Sequence, residues 1–179
     1  MLAIRYVKEP GSFLVKRQGN SPGSSGSQQL LLGARLHVDP STVMDGWVKA
    51  TTVPNINGKS KQGFIELDRL SEKQQLKIFY LDVGQGDATL IEAEGAIVII
   101  DGGPNSGFFT ELMRRLKSLR RADAAIGLPP RSSMHINTII ISHFDLDHYF
   151  GLTKVLASNK FTVGTLYHNG LPRYGDNAQ

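Results

Sequence analysis

The chain has 179 residues, of which 40% are hydrophobic and 20% charged, the balance of an ordinary globular protein. It contains no cysteine, which excludes disulfide frameworks and thiolate metal sites. No apolar run is long enough to span a membrane and the first residues do not read as a secretion signal, so we expect a cytoplasmic protein with no membrane partner. The net charge of +4 comes from the first 75 residues, and an excess this mild identifies no partner.

Short β-type segments separated by turn-forming residues make up the first part of the chain. Residues 19–29 read GNSPGSSGSQQ, which predicts a flexible loop. Strands are predicted at Leu30–Val38, Gly46–Val53 and Gly63–Leu67, with breaks at DPSTVMDG and PNINGKSKQ. Several short strands at this spacing indicate a small barrel.

The sequence of this part resembles that of bacterial SH3-like domains. The match consists of a DGWVK strand, Asp45 to Lys49, then a turn and a GFI strand that closes near Leu70. The resemblance implies a small SH3-like β-barrel over residues 1–75, with a peptide, a protein or a nucleic acid as its partner. An irregular β extension of the second part of the chain is the alternative.

Residues 76–179 begin with a different pattern. LKIFYLDV, ATLIEAE and GAIVIID predict three antiparallel strands joined by glycine-bearing turns. Apolar residues at helical spacing in FFTELMRRLKSLRR predict a helix, and we interpret its arginines as a solvated basic face. The apolar run Ile136–Ile141 predicts a strand covered on both faces. A helix over LTKVLAS and a strand over FTVGTLY are expected to follow the polar motif described next.

That motif is SHFDLDH, in which two histidines and two aspartates occur within six residues. Imidazole and carboxylate groups are ligands for Zn²⁺ and for harder ions such as Mn²⁺. His143 and Asp145 can point to one side while Asp147 and His148 reach a second position, which suits two neighbouring metals and an acidified water between them. The alternative is a solvated loop in which Asp147 caps the following helix.

Two further features accompany the motif: DVGQGDA, from Asp82 to Ala88, and Asp101 at the end of the IVII strand. Together they resemble the metallo-β-lactamase superfamily, in particular its competence-type branch, typified by the soluble domain of bacterial DNA-uptake channel proteins. The resemblance implies an α+β protein in which the SH3-like barrel precedes the N-terminal half of an αββα sandwich. It implies that Asp147 and Asp101 are catalytic, the first handling the proton of the attacking water and the second supporting the ligands. The implied metal ligands are His143, Asp145, Asp147 and His148.

We therefore predict a hydrolase that uses water activated by two divalent metal ions on phosphodiester bonds of a nucleic acid or nucleotide. Zn²⁺ or Mn²⁺ is expected, with Mg²⁺ as a further choice, because Asp145 stands where most members have histidine and favours harder ions. Among residues 149–179 only His168 and Asp176 are of the types that complete the family's site, and we interpret His168 as a structural or supporting residue. We therefore expect an incomplete site and a truncated sandwich in this chain.

Three alternatives to this prediction stay open. The first is an amide or lactam hydrolase of the same fold. The second is a non-catalytic binding module, in which the first part recognises a peptide or nucleic acid and the metal site is incomplete. The third is a piece that does not fold stably alone, because half a sandwich leaves one sheet face uncovered.

Overall fold

A computed structural model describes the following parts of the chain: residues 2–18, 21–22, 28–54 and 57–170. These residues divide into two compact units. The first lies within Met1–Gln75 and Ser118–Pro130, and the second within Leu76–Lys117 and Arg131–Gln179. No helix of the described residues has the length and apolarity needed to cross a lipid bilayer.

The described residues of the first unit form nine strands in three sheets. In chain order they are β1 Ala3–Val7, β2 Phe13–Leu14, β3 Arg17–Gln18, β4 Ser21–Pro22, β5 Gln28–Gln29, β6 Arg35–Met44, β7 Trp47–Thr52, β8 Gln62–Glu66 and β9 Leu70–Ser71. Two short ladders, β2 with β5 and β3 with β4, include parts of the predicted loop at 19–29. The rest of that predicted loop, residues 19–20 and 23–27, lies outside the described residues.

The largest sheet of this unit is antiparallel and has the order β8-β7-β6-β1-β9. Its buried side chains form a single apolar cluster, which includes Val7, Leu36, Val48 and Ile65. The predicted SH3-like barrel is not confirmed. Among the described residues the edge strands β8 and β9 do not pair with each other, so the sheet remains an open half-barrel.

The hairpin between β6 and β7 is longer than predicted. A break was predicted over residues 39–46, whereas β6 continues to Met44 and only Asp45 and Gly46 adopt positive φ angles. At the register shift in this hairpin, the Asp39 carboxylate accepts hydrogen bonds from the backbone N–H and the hydroxyl of Ser41, at 3.1 and 2.6 Å. These local bonds satisfy polar groups within an irregular strand, which is why turn-forming residues do not end it here.

One histidine is buried in the first unit. His37, on β6, is 2% exposed, and its Nε2 has no hydrogen-bond partner among the described residues. Burial is the main cause that lowers the pKa of His37, the charge of Arg35 lowers this pKa further, and Asp123 opposes both. The neutral ring is therefore the form that this unit favours.

We predict that acidification destabilises the fold through His37. Its pKa in the unfolded chain is near 6.5 and its pKa in the folded chain is lower, so the unfolded state binds more protons between the two values. The free energy of unfolding should therefore fall as the pH drops through about 6.5 towards the folded pKa. Urea titrations between about pH 8 and 5 check this, with His37→Gln, which does not titrate, as the control. An equal pH dependence in both proteins would contradict the prediction.

Among its described residues the second unit contains a five-stranded mixed sheet, one whole α-helix and the first part of another, whose residues Ser118–Ala124 belong to the first unit. The strands are β10 Lys77–Tyr80, β11 Thr89–Ala93, β12 Ala96–Ile100, β13 Met134–Ile141 and β14 Phe161–His168, in that order across the sheet, and the helices are α1 Gly107–Ala124 and α2 Leu146–Leu156. β10, β11 and β12 are antiparallel, whereas β12, β13 and β14 run parallel. Each predicted element of this part is present, and the class is α+β.

The two faces of this sheet differ in burial. One face carries a row of neighbours in register that are 4% exposed or less: Leu90, Ile99 and Ile139. Two apolar residues of α1, Phe108 and Leu112, are equally buried. The opposite face carries a row that crosses all five strands and consists of Tyr80, Thr89, Ile100, Ile140 and Tyr167. Tyr80 is 82% and Tyr167 59% exposed, so the edges of this second face are open to solvent.

Helix α1 holds a buried ion pair within the second unit. Arg115 pairs with Glu92 of β11, which is 5% exposed, and its guanidinium carbon lies 5.2 Å from the centre of the Phe79 ring. The interpretation of the helix arginines as a uniformly solvated face is therefore wrong at Arg115. Its neighbour Arg114 pairs with Glu111 in a largely exposed setting.

We predict that the two adjacent arginines differ in their contribution to stability. Arg115→Ala removes the guanidinium that pairs with the buried carboxylate of Glu92 and should lower the free energy of unfolding by roughly 3 kcal/mol. Arg114→Ala removes only an exposed pair and should cost less than about 0.5 kcal/mol. Urea denaturation of both variants measures the difference, and equal losses would show that the Arg115 pair is not special.

Candidate metal centre

The motif predicted to bind metal connects β13 to α2. β13 ends at Ile141 and α2 begins at Leu146, with Asp145 at the N-cap position in an extended conformation. Asp145 makes no side-chain capping hydrogen bond. Asp147 lies inside the first turn, so the alternative in which it caps this helix is wrong.

The four predicted ligands form two pairs. His143 Nε2 lies 3.4 Å from Asp145 Oδ2, and His148 Nε2 lies 4.0 Å from Asp147 Oδ2. The ring centroids of His143 and His148 are 3.8 Å apart, with the rings tilted by 47°. The structure therefore brings the two imidazoles into contact and places one carboxylate beside each Nε2.

Asp101 joins the end of β12 to the start of the motif. It has a φ of 57° and is 3% exposed. Its Oδ1 accepts the Ser142 backbone N–H at 2.8 Å, and its Oδ2 accepts the Ser142 hydroxyl at 2.6 Å and lies 3.0 Å from His148 Nδ1. A positive φ is uncommon for a residue with a side chain, and here three hydrogen bonds to the carboxylate hold it.

The contact with Asp101 assigns the tautomer of His148. An ionised carboxylate only accepts hydrogen bonds, so His148 Nδ1 must be the donor. The neutral ring then carries its lone pair on Nε2, the atom that faces Asp147. His148 Nε2 and Asp147 Oδ2 are then both acceptors, and a cation between them would satisfy both. Metal-ligating histidines typically bind a carboxylate through their other ring nitrogen, as His148 does here.

The types of ligand atom at this site suit a metal ion, but too few of them come together among the described residues to hold one. Imidazole nitrogen and carboxylate oxygen are both ligands for Zn²⁺ and Mn²⁺. Within the part of the chain that the structure describes, however, no three His, Cys, Asp or Glu side chains form a group that could hold a metal ion. Each of the two pairs therefore supplies part of a ligand set.

Glycines let neighbouring segments approach the motif closely. A Cβ atom at Gly86 would lie 1.9 Å from the carbonyl oxygen of Asp147, and one at Gly151 would lie 1.9 Å from the carbonyl oxygen of Gly102. The Gly102 N–H also donates to the carbonyl oxygen of His148 at 2.6 Å. GQGD is one of the predicted glycine-bearing turns, and the structure shows that its second glycine touches the motif itself.

Sequence reasoning missed two residues of this region, Ser142 and Gly151. Ser142 could have been noticed as a hydroxyl directly before the first histidine, at the end of a buried strand. Gly151 lies inside a helix, where glycine costs roughly 1 kcal/mol relative to alanine, so its presence indicates close packing.

The remaining histidine of this region lies at the end of β14. His168 is exposed, its ring centre is 5.4 Å from that of Phe144, and its Nδ1 accepts the Gly170 N–H at 2.9 Å. It forms no group of three potential ligands with described residues of the motif. The other residue considered in this role, Asp176, lies outside the described residues.

Comparison with protein families adds a finding to this geometry. The model of the metallo-beta-lactamase superfamily matches residues 81–172, just over half of the chain, and this range includes DVGQGDA, Asp101 and the histidine–aspartate motif. The chain therefore belongs to the metallo-beta-lactamase superfamily. Membership suggests a metal-dependent hydrolase, since the superfamily generally binds divalent metals. No curated protein matches the chain.

We predict that Gly86→Ala destabilises the fold far more than Gly84→Ala. Both glycines have positive φ, 82° and 86°, so alanine strains the backbone by roughly 1 kcal/mol at either position. Only at Gly86 does the new Cβ also overlap the backbone of Asp147, whereas nothing lies within 4 Å at Gly84. Gly86→Ala should therefore cost roughly 2 kcal/mol more, as overpacking does, when measured by urea denaturation. Equal costs would show that the loop moves away freely.

Proposed function

We propose that this protein is a hydrolase that cleaves phosphodiester bonds of a nucleic acid or nucleotide with water activated by two divalent metal ions, Zn²⁺ or Mn²⁺. The observation that carries the proposal is the pairing of each imidazole Nε2 with a carboxylate, at 3.4 Å for His143 and 4.0 Å for His148. Superfamily membership supports the hydrolytic class.

In this proposal the two pairs hold the two ions, His143 with Asp145 and His148 with Asp147. Divalent ions held there would supply an acidified water and polarise the bond under attack. Asp147 would accept the proton of the attacking water, and Asp101 keeps His148 oriented through the hydrogen bond to its Nδ1.

The proposed substrate class rests on two features of the sequence. DVGQGDA resembles the competence-type branch, whose soluble domain belongs to DNA-uptake proteins, and Asp145 adds a hard carboxylate ligand to one pair. Hard ions with oxygen ligands suit substrates with phosphate oxygens. Phosphodiesters therefore fit this site better than amides or lactams do.

We predict metal-dependent cleavage of bis-p-nitrophenyl phosphate by the protein after its metals are removed and Mn²⁺ or Zn²⁺ is restored. Asp147→Asn retains the shape of the side chain but not its basicity, so the rate constant should fall by about a hundredfold or more. Release of p-nitrophenolate measures the rate. Glu94→Gln is the control, because Glu94 is an exposed acid in the turn between β11 and β12 and its loss should leave the rate unchanged.

Parallel assays with a lactam and with a p-nitroanilide amide test the runner-up chemistry. Faster turnover of either substrate than of the phosphodiester would favour the amide or lactam hydrolase. Equal phosphodiesterase rates for Asp147→Asn and the unaltered protein would overturn the proposed role of Asp147.

The second candidate is a non-catalytic binding module, and two observations favour it. Described residues provide no group of three metal ligands. The first unit has a cleft of about 130 Å³ whose lining includes Phe13, Trp47, Glu66 and Arg69, a surface that an SH3-like module would offer to a peptide or nucleic acid. Elemental analysis of protein purified without chelators separates the candidates: folded protein that retains no metal favours the binding module.

A further inference from the structure

We propose that Ser142 is a positioning residue that fixes the tautomer of His143, so that its Nε2 is available to a metal ion. The inference rests on the proposed metal site and assigns a role to a residue outside its ligand set. It concerns the two shortest side-chain contacts of the serine, which are 2.6 Å from Oγ to Asp101 Oδ2 and 2.9 Å from Oγ to His143 Nδ1.

The direction of both hydrogen bonds follows from counting protons. The hydroxyl has a single proton, and the ionised carboxylate of Asp101 can only accept it. Towards His143 the serine oxygen is then an acceptor, so the proton in that contact must belong to Nδ1 of the ring. A neutral His143 with a protonated Nδ1 carries its lone pair on Nε2.

Ser142 therefore gives His143 the tautomer that Asp101 gives His148. The carboxylate contacts His148 Nδ1 directly at 3.0 Å and reaches His143 through the serine hydroxyl. The buried carboxylate of Asp101 thus fixes the tautomer of both rings. The Nε2 of His143 lies beside Asp145, and the Nε2 of His148 lies beside Asp147. Partners of this kind orient metal-ligating histidines and increase their basicity.

The backbone of Ser142 is anchored independently of its hydroxyl. Its N–H donates to Asp101 Oδ1 at 2.8 Å, and we expect this backbone bond to be retained in Ser142→Ala because the substitution leaves the N–H in place. The side chain is exposed, so alanine leaves no cavity in the core. The variant therefore removes the link to His143 while it retains the loop.

The first test measures tautomers in the metal-free protein by long-range ¹H–¹⁵N correlation spectra at alkaline pH, where the imidazoles are neutral. In the unaltered protein both His143 and His148 should be in the Nδ1–H form. In Ser142→Ala, His143 should shift to a mixture of tautomers while His148 stays unchanged. Ser142→Thr, which retains the hydroxyl, should restore the original spectrum.

The second test measures Zn²⁺ binding by calorimetry, with zinc salt alone as the probe. Loss of the hydroxyl should weaken binding by about tenfold to a hundredfold, as loss of such partners does in other metal sites. Ser142→Thr should recover the affinity. Ser158→Ala is the matched control. Among the described residues that hydroxyl accepts the Lys160 N–H, in the loop before β14, so its loss should change neither readout.

The outcomes separate this inference from the proposed function. An Nε2–H tautomer of His143 in the unaltered protein, or a spectrum unchanged by Ser142→Ala, overturns the role of Ser142 whether or not the protein hydrolyses phosphodiesters. A selective shift of His143 supports it even where hydrolysis is absent. If zinc binds and Ser142→Ala retains full affinity, the role in metal binding is overturned.

Discussion

The buried carboxylate of Asp101 is the group on which the rest of the candidate site depends. β12 and β13 are parallel neighbours, and the Asp101 N–H extends their ladder with a bond of 2.9 Å to the carbonyl oxygen of Ile140. A left-handed backbone at Asp101 then takes the chain out of the sheet, while its carboxylate binds the first residue after β13. A buried carboxylate without partners would be costly, so the position of Asp101 is stabilised by its donors, which are the backbone N–H and hydroxyl of Ser142 and the ring of His148. The same requirement fixes where the motif loop begins and how α2 starts.

Close backbone packing makes the polar network rigid. The loop after β12 donates from Gly102 to His148, and helix α2 donates back from the Gly151 N–H to the carbonyl oxygen of Gly103 at 2.8 Å. The DVGQGD loop adds a third backbone in contact with Asp147 through Gly86. Glycine costs conformational entropy at each of these positions, and the cost is offset by segments that hold one another at hydrogen-bonding distance. The imidazoles of His143 and His148 lie on these closely packed segments and therefore have little freedom to change orientation. A precise ligand geometry requires this rigidity.

Much of the second unit could be predicted from sequence, because its signals are local. Alternation in β10 to β12, the apolar run before Ser142 and the helical spacing of α1 each reflect burial along one segment. The contacts of Gly86 and Ser142 could not be predicted in this way, since they join segments that are distant in sequence. In the first unit, turn-forming residues at 39–46 predicted a break, yet side-chain bonds within Asp39–Ser41 maintain a strand. Closure of a barrel likewise depends on whether edge strands meet, and strand composition does not encode that.

Hydrogen bonding also distinguishes the histidines that share one edge of the sheet. β12, β13 and β14 are parallel, so their carboxyl ends bring Asp101, His143 and His168 to the same edge, where ligand sites of such sheets occur. Topology alone would therefore admit His168 as a ligand. Its Nδ1, however, accepts the Gly170 N–H, so a neutral ring carries its proton on Nε2. His148, bound to Asp101 through Nδ1, has the opposite tautomer. His143 and His168 therefore share their position at the edge of the sheet, but the partner of Nδ1 decides which ring nitrogen carries the lone pair that a metal needs. In His168 the lone pair is on Nδ1, where it accepts the Gly170 N–H of its own turn.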